Sequence, residues 1–349
     1  ATDACTPPMS AHPSSTHAHS EGEYEDLLSL WSDLESALSV LLSRPLQVQD
    51  FPGKVRQFDA WLQDLVAHDI DAALYLMFQH ASKSTVGYSA SHALVCGTLC
   101  HIMAQELKLT QRERDSLVRA ALTMNIGMTA LQDELAVQRE RPTAEQQEAI
   151  KSHPEDSMLL LERLFIDDQL WLDVVGQHHA SIAERVPLAQ QEPIDRLTRV
   201  LGTIDRYAAM ISPRKSRAGR SATDSVRAIV GQEVDQRDEV SYTLVRSVGL
   251  CPPGTFVKLD NGETAIVLRR SDKANHPLVA SVIDAKGVQR HEPRLHQTWL
   301  CKPQVQSALA RSAVRVDLNH RTMVRVGLYA ARNSQEYMRN LITVPGALH

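Results

Sequence analysis

An excess of charge of either sign is missing from this chain. Its 349 residues carry 37 basic and 42 acidic side chains, a formal net charge of −5. With no basic surplus there is no electrostatic footprint for nucleic acid or for an anionic membrane surface. Long apolar runs are missing as well, so no segment offers a membrane span. The first residues lack the charged and apolar regions of a signal peptide, and the expected compartment is cytoplasmic. Cysteine is sparse: Cys5, Cys96, Cys100, Cys251 and Cys301 are odd in number and form no C-x-x-C pair. That excludes a disulfide framework. What is present, 43% hydrophobic and 23% charged residues, describes an ordinary globular chain with room for two or three substructures.

Residues 1–22 are rich in Ser, Thr, Pro, Ala and His and read as a disordered tail, with His12, His17 and His19 solvated. Residues 23–84 read as an N-terminal helical region. There Leu27, Trp31, Leu34, Leu38 and Leu41 recur with heptad-like spacing. Such a seam serves either packing within its own domain or a homodimer. A second helix follows Pro52 and Gly53, and a third spans about residues 69–80. Residues 85–249 read as a helical domain, with helices near 89–107, 111–124, 144–151, 155–164, 168–180, 193–211, 224–230 and 238–248. Thr143-Ala144-Glu145-Gln146 has the form of a capping box.

The pattern changes at Cys251-Pro252-Pro253-Gly254. Residues 250–290 read as a small antiparallel β unit of about three strands, turning at Asp260-Asn261-Gly262, where Asn-Gly suits a tight hairpin. In residues 291–349 one more helix is expected near 303–312, with irregular structure beyond. The fold class is therefore mainly α: a helical bundle preceded by a helical region and followed by a small β unit.

Five residues that favour divalent metals lie on or beside these helices: His92, His153, the pair His178-His179, and Asp205. Inward-pointing imidazoles and carboxylates from several helices are how a bundle builds a metal site. Between them lies Ala120-Ala121-Leu122-Thr123-Met124-Asn125-Ile126-Gly127-Met128, whose Met124 and Asn125 coordinate hard cations poorly. Cys96 and Cys100 follow His92 by four and eight residues and share its helix face. They read as small apolar packing groups, with a thiolate–metal or redox role as the alternative. Arg214 and Arg217 sit in a compact basic run after a helix, either a solvated loop or a phosphate clamp.

The order of these features resembles the HD-GYP family, the HD-domain phosphohydrolases that hydrolyse bacterial cyclic di-GMP. The resemblance covers roughly residues 85 to 285. Ser91-His92-Ala93-Leu94-Val95 looks like the family's first ligand helix, and Ala120 to Met128 like the segment carrying its His-Asp doublet and a lysine. Lys151-Ser152-His153-Pro154 looks like the His-Pro turn, His178-His179 like the double His, and Thr203-Ile204-Asp205-Arg206-Tyr207 like the last ligand segment. Arg214 and Arg217 fall where the family places basic side chains against phosphate.

The departures bear on activity. The doublet reads Met124-Asn125, the lysine position is Met128, and the acidic position before His92 is Tyr88. After His179 the Gly-Tyr-Pro loop is absent. In the family the doublet's aspartate bridges two ions and helps hold the attacking water. Asn125 is neutral and Met124 is no ligand, so the binuclear centre is expected to fail. The cofactor expectation is one divalent ion (Zn, Mn or Fe) at partial occupancy, or none. His153, His178 and His179 would take one side of the site, His92 and Asp205 the other. The resemblance implies a non-catalytic or weakly active regulatory module that binds cyclic di-GMP or a partner signalling protein. The alternatives are a metal-dependent cyclic di-GMP phosphodiesterase with a reduced metal site and a dimeric scaffold without small ligand. Whether the chain is an enzyme stays open, with the residues leaning against it.

Overall fold

The computed structural model describes residues 18–81, 87–181, 186–212, 220–230, 238–273, 275–328 and 330–331. The protein is mainly helical. Helices α1 (Ala18–Ser43), α2 (Phe51–His68) and α3 (Ile70–Ala81) form the N-terminal region. The bundle follows with α4 (Tyr88–Glu106), α5 (Gln111–Thr123), α6 (Thr129–Val137), α7 (Ala144–Arg163), α8 (Gln169–Gln177), α9 (Pro193–Ile211), α10 (Ala222–Val230) and α11 (Glu239–Val248). Strands β1 (Phe256–Leu259), β2 (Thr264–Arg269), β3 (Leu278–Ile283), β4 (Gln289–Gln297) and β5 (Val305–Leu309) complete the small antiparallel unit. Among the described residues no helix is long and apolar enough to cross a membrane.

Helix α4 is the axis of the bundle. Every residue from Ser89 to Ala104 is buried, because the helix is apolar all round rather than on one stripe. It packs on α1, α3, α5 and α9. Gly97 lets α5 come close: a Cβ there would lie 2.7 Å from a Leu122 methyl. The seam of α1 is used inside the chain. Leu27, Trp31, Leu34, Leu38 and Leu41 are all buried, against α2 and α4 among others. That face is already occupied by the chain itself.

Several local readings are corrected. Residues 144–163 form one continuous helix, with Pro154 inside it, not two helices broken at 151–155. Helix α6 was not anticipated, and α8 stops at Gln177, leaving His178 at its C-cap. Residue Ala18 already lies in α1, within the segment read as tail, while residues 1–17 lie outside the described residues. The sheet has five strands in the order β4-β3-β2-β1-β5, and β5 occupies the place of the helix expected at 303–312.

Tertiary pairing explains the last correction. Val305 to Leu309 pairs with the free edge of β1, with Leu259 opposite Val305 and Phe256 opposite Leu309. At the other edge β4 accommodates Pro293, which an edge strand tolerates. The Asn-Gly hairpin between β1 and β2 forms as expected, with Gly262 at φ +86°.

The sheet is fastened to the N-terminal helical region at two places. Arg269 pairs with Asp69 at 2.8 Å, and Arg270 Nε with Asp71 at 2.6 Å. Gly254 (φ +85°) rests on α3, where a Cβ would lie 2.6 Å from the Tyr75 carbonyl oxygen. Its own carbonyl accepts a hydrogen bond from Gln79. Gly254→Ala combines a left-handed backbone with a backbone clash. It is expected to cost at least about 2 kcal/mol, read as a lower denaturation midpoint.

His101 sets an acid limit for the bundle. It is buried, and burial first, then the Arg114 guanidinium beside it, hold its pKa at about 4 against an ordinary 6.5. The unfolded chain therefore binds a proton that the folded chain refuses. Stability is full above about pH 6.5 and is lost as pH falls toward 4. Thermal unfolding across that window should show His101→Gln flattening the slope, by on the order of 2–3 kcal/mol between its ends.

Candidate metal centre

The five candidate ligands fall into two adjoining groups, His153 with His178 and His179, and His92 with Cys96 and Asp205. Within each group the ligand atoms lie within 4.8 Å of one another.

The first group begins with a proline. Pro154 has no N–H, so the carbonyl of Ile150, four residues earlier, loses its helical partner. His153 Nδ1 takes that place, 2.6 Å from the Ile150 oxygen. At the end of α8 the carbonyl of Val175 is likewise available, and His178 Nδ1 lies 2.7 Å from it. A carbonyl oxygen only accepts, so both Nδ1 atoms carry the hydrogen and both Nε2 atoms carry the lone pair.

Those two Nε2 atoms are 3.1 Å apart. Burial lowers the pKa of both rings, that of His178 to about 4, with the His179 ring adding to the effect. At neutral pH both rings are thus neutral, and two lone pairs face each other without a proton between them. A cation between them would resolve that contact. The exposed ring of His179 lies 4.2 Å from the His178 ring and 5.1 Å from that of His153, centroid to centroid. Three neutral imidazoles with an open side suit a Zn²⁺-type ion.

The second group is anionic. Asp205 Oδ1 lies 2.9 Å from His92 Nε2. Burial alone would push this carboxyl up, but the hydrogen bond from His92 and the neighbouring His178 and His179 outweigh it and hold the pKa at about 2. Asp205 is therefore ionised at any working pH. Its charge also reaches His153 and His178, which makes the two groups one electrostatic unit. Tyr88 stacks on the His92 ring at 5.6 Å, where the resemblance expects an acidic ligand.

Cys96 was read as packing, yet its sulfur lies 3.6 Å from His92 Nε2. The four-residue spacing held the signal, and the general frequency of buried free cysteines outweighed it. Cys100, one turn further on, is buried outside both groups.

The Met124–Met128 segment holds no His, Cys, Asp or Glu, and none of its residues belongs to either group. Met124 is 1% exposed and belongs to the main apolar core. Asn125 is half-buried and lines a small cavity with Ser89, Ala93 and Gln132, near the turn that carries His92. Met128 is half-buried and lies outside the core cluster, so Met124 alone fills apolar space. Gly127 donates to Ser157 Oγ at 3.0 Å and pins the segment to α7, one turn beyond His153.

Arg214 and Arg217 lie outside the described residues. Beside His178 and His179 a cleft of about 130 Å³ is lined by Thr198, Gly202, Thr203 and Arg206 among others. Arg206 reaches the Thr203 hydroxyl at 3.3 Å and is otherwise exposed. The space suits a phosphate group rather than a whole dinucleotide.

Residues 71–238 match the HD domain family. Over 198 residues the chain is 26% identical to "Cyclic di-GMP phosphodiesterase PA4108" of Pseudomonas aeruginosa, covering 55% of this chain and 47% of that protein. Over this stretch the chain is similar to HD-domain proteins of the HD-GYP-like kind. It spans about half the length of that curated relative. Among solved structures, "Bd1817, a HDG"Y"P protein" from Bdellovibrio bacteriovorus superposes with a TM-score of 0.48 at 14% identity, covering 66% of this chain and 73% of that one. Within the HD domain, α4, α7, α8 and α9 carry or border all five candidate ligands.

Proposed function

We propose that this chain is a non-hydrolytic, regulatory HD-GYP-like module of bacterial cyclic di-GMP signalling. It binds cyclic di-GMP or a partner signalling protein and leaves the dinucleotide intact. The observation that carries this reading is the place of Met124 and Asn125. One side chain fills core and the other is neutral, so no residue at the doublet can bridge two ions. Asp205 is the one carboxylate in the two groups. The His153, His178 and His179 set supplies neutral nitrogen alone, enough for a single ion and too little charge for a pair.

In this reading Arg214 and Arg217, which lie outside the described residues, hold phosphate together with Arg206, which lines the cleft. Titrating the full chain with cyclic di-GMP by calorimetry tests it. Saturable binding without product is expected, and Arg214→Ala should weaken it about tenfold or more, the worth of a charge-assisted phosphate contact. Absence of binding would leave only the partner-protein branch; cleavage would overturn the whole reading. The name of the Pseudomonas aeruginosa relative supports the second reading, a phosphodiesterase working with a reduced metal site.

A further inference from the structure

Missing negative charge is the main obstacle to metal binding here, and one buried side chain can supply it. We propose that Cys96, as a thiolate, joins His92 and Asp205 in a mononuclear site suited to a borderline-soft dication such as Zn²⁺. The inference rests on reading His92 and Asp205 as ligands; Cys96 is the addition.

Geometry supports the set. His92 and Cys96 occupy consecutive turns of one face of α4, and Asp205 faces them from α9. The Sγ–Nε2 separation is 3.6 Å. Tetrahedral Zn²⁺ with Zn–S near 2.3 Å and Zn–N near 2.0–2.1 Å places S and N about 3.6 Å apart. The Nε2–Oδ1 separation is 2.9 Å. The same tetrahedron needs about 3.3 Å there, a movement of a few tenths of an ångström for one carboxylate.

Charge supports it too. Thiolate and carboxylate together neutralise a dication, which the three imidazoles of the other group do not. Cys96 is fully buried and the His92 side chain is 2% exposed, whereas that of Asp205 is 16% exposed and marks the way in. The proton balance is simple. The ion forms a bond to sulfur and displaces the thiol proton to solvent. The His92 proton moves from Nε2 to Nδ1 as Nε2 takes the metal, so one proton is released per ion. Sulfur ligation then favours Zn²⁺ over Mn²⁺, against the preference of an all-oxygen-and-imidazole site.

Cys100 provides an internal control, because it is buried to the same extent on the same helix without belonging to the group. The full chain, freed of metal, is titrated with Co²⁺ and then with Zn²⁺. A thiolate-to-cobalt charge-transfer band in the near ultraviolet is expected in the native protein and in Cys100→Ser, and absent in Cys96→Ser. Zn²⁺ affinity of Cys96→Ser should fall by more than the roughly 10- to 100-fold that losing an outer partner costs. X-ray absorption of the Zn²⁺-loaded native protein gives the answer even where the variant fails to fold: a sulfur neighbour near 2.3 Å is expected. Co²⁺ bound without the band, and abolished by Asp205→Asn, overturns the role of Cys96 while leaving the other ligands standing. No Co²⁺ bound at all overturns both.

Discussion

Cyclic di-GMP incubated with the purified chain and excess Mn²⁺ or Fe²⁺ is expected to remain intact. Two-metal hydrolysis places ions about 3.5–4 Å apart and relies on them to lower the pKa of bound water. At 4 Å and an effective dielectric constant of 20, two unit charges interact by about 4 kcal/mol, so two dications repel by about 16 kcal/mol. Bridging carboxylates normally offset that repulsion. Among the described residues Asp205 is the one carboxylate in either ligand group, and at the doublet stands the amide Asn125. Asp205 alone offsets little of that repulsion. Without the pair, no water is activated between two metals, and the rate should fall below that of a working phosphodiesterase by at least about 10³-fold.

The converse experiment restores the charge. Asn125→Asp together with Met124→His is expected to raise the number of bound ions. Met124 is part of the packed core, so this double variant also loses stability, and its metal content is to be read on the folded fraction. Unchanged metal content in folded protein would mean that the segment does not face the ligands.

The largest expected loss of stability comes from Trp171. It is 1% exposed on α8, and its indole N–H donates to Thr123 Oγ1 at 2.9 Å. This contact joins the helix that leads to His178 with the last residue before Met124. Trp171→Ala should cost about 3–5 kcal/mol from the cavity, with roughly 1 kcal/mol more from the lost hydrogen bond. For a chain of this size that corresponds to a fall in Tm of roughly 5–8 °C. Trp171→Phe keeps most of the volume and should cost about 1–2 kcal/mol. Calorimetry of the two variants separates packing from the hydrogen bond; equal losses would show that the indole N–H matters more than the ring.

Helices rich in apolar periodicity were legible before any coordinates. The Leu27–Leu41 face, the Thr143 capping box and the Asn261-Gly262 hairpin all form as the residues indicate, because each is a local device. Misreadings occurred where a side chain's contact or a tertiary pairing decides. Pro154 reads as a helix break, but the His153 ring occupies the carbonyl that the proline vacates, and α7 runs on. Val305 to Leu309 becomes a strand because the edge of β1 is open to it, which no local propensity reveals.

The site was legible to a similar degree. His92, His153, His178, His179 and Asp205 fall into two adjoining groups carried or bordered by α4, α7, α8 and α9. What the residues did not announce was the division into a neutral and an anionic group. That division depends on which helix faces which, and it is what turns Cys96 from a packing residue into a candidate ligand.

Anomalous diffraction from crystals of the full chain grown with saturating Mn²⁺ or Fe²⁺ tests the absence of a bridged pair most directly. No pair of ions sharing a ligand at the His92–Asp205 and His153–His179 centre is the result this account requires. Two fully occupied ions sharing a ligand there would contradict it.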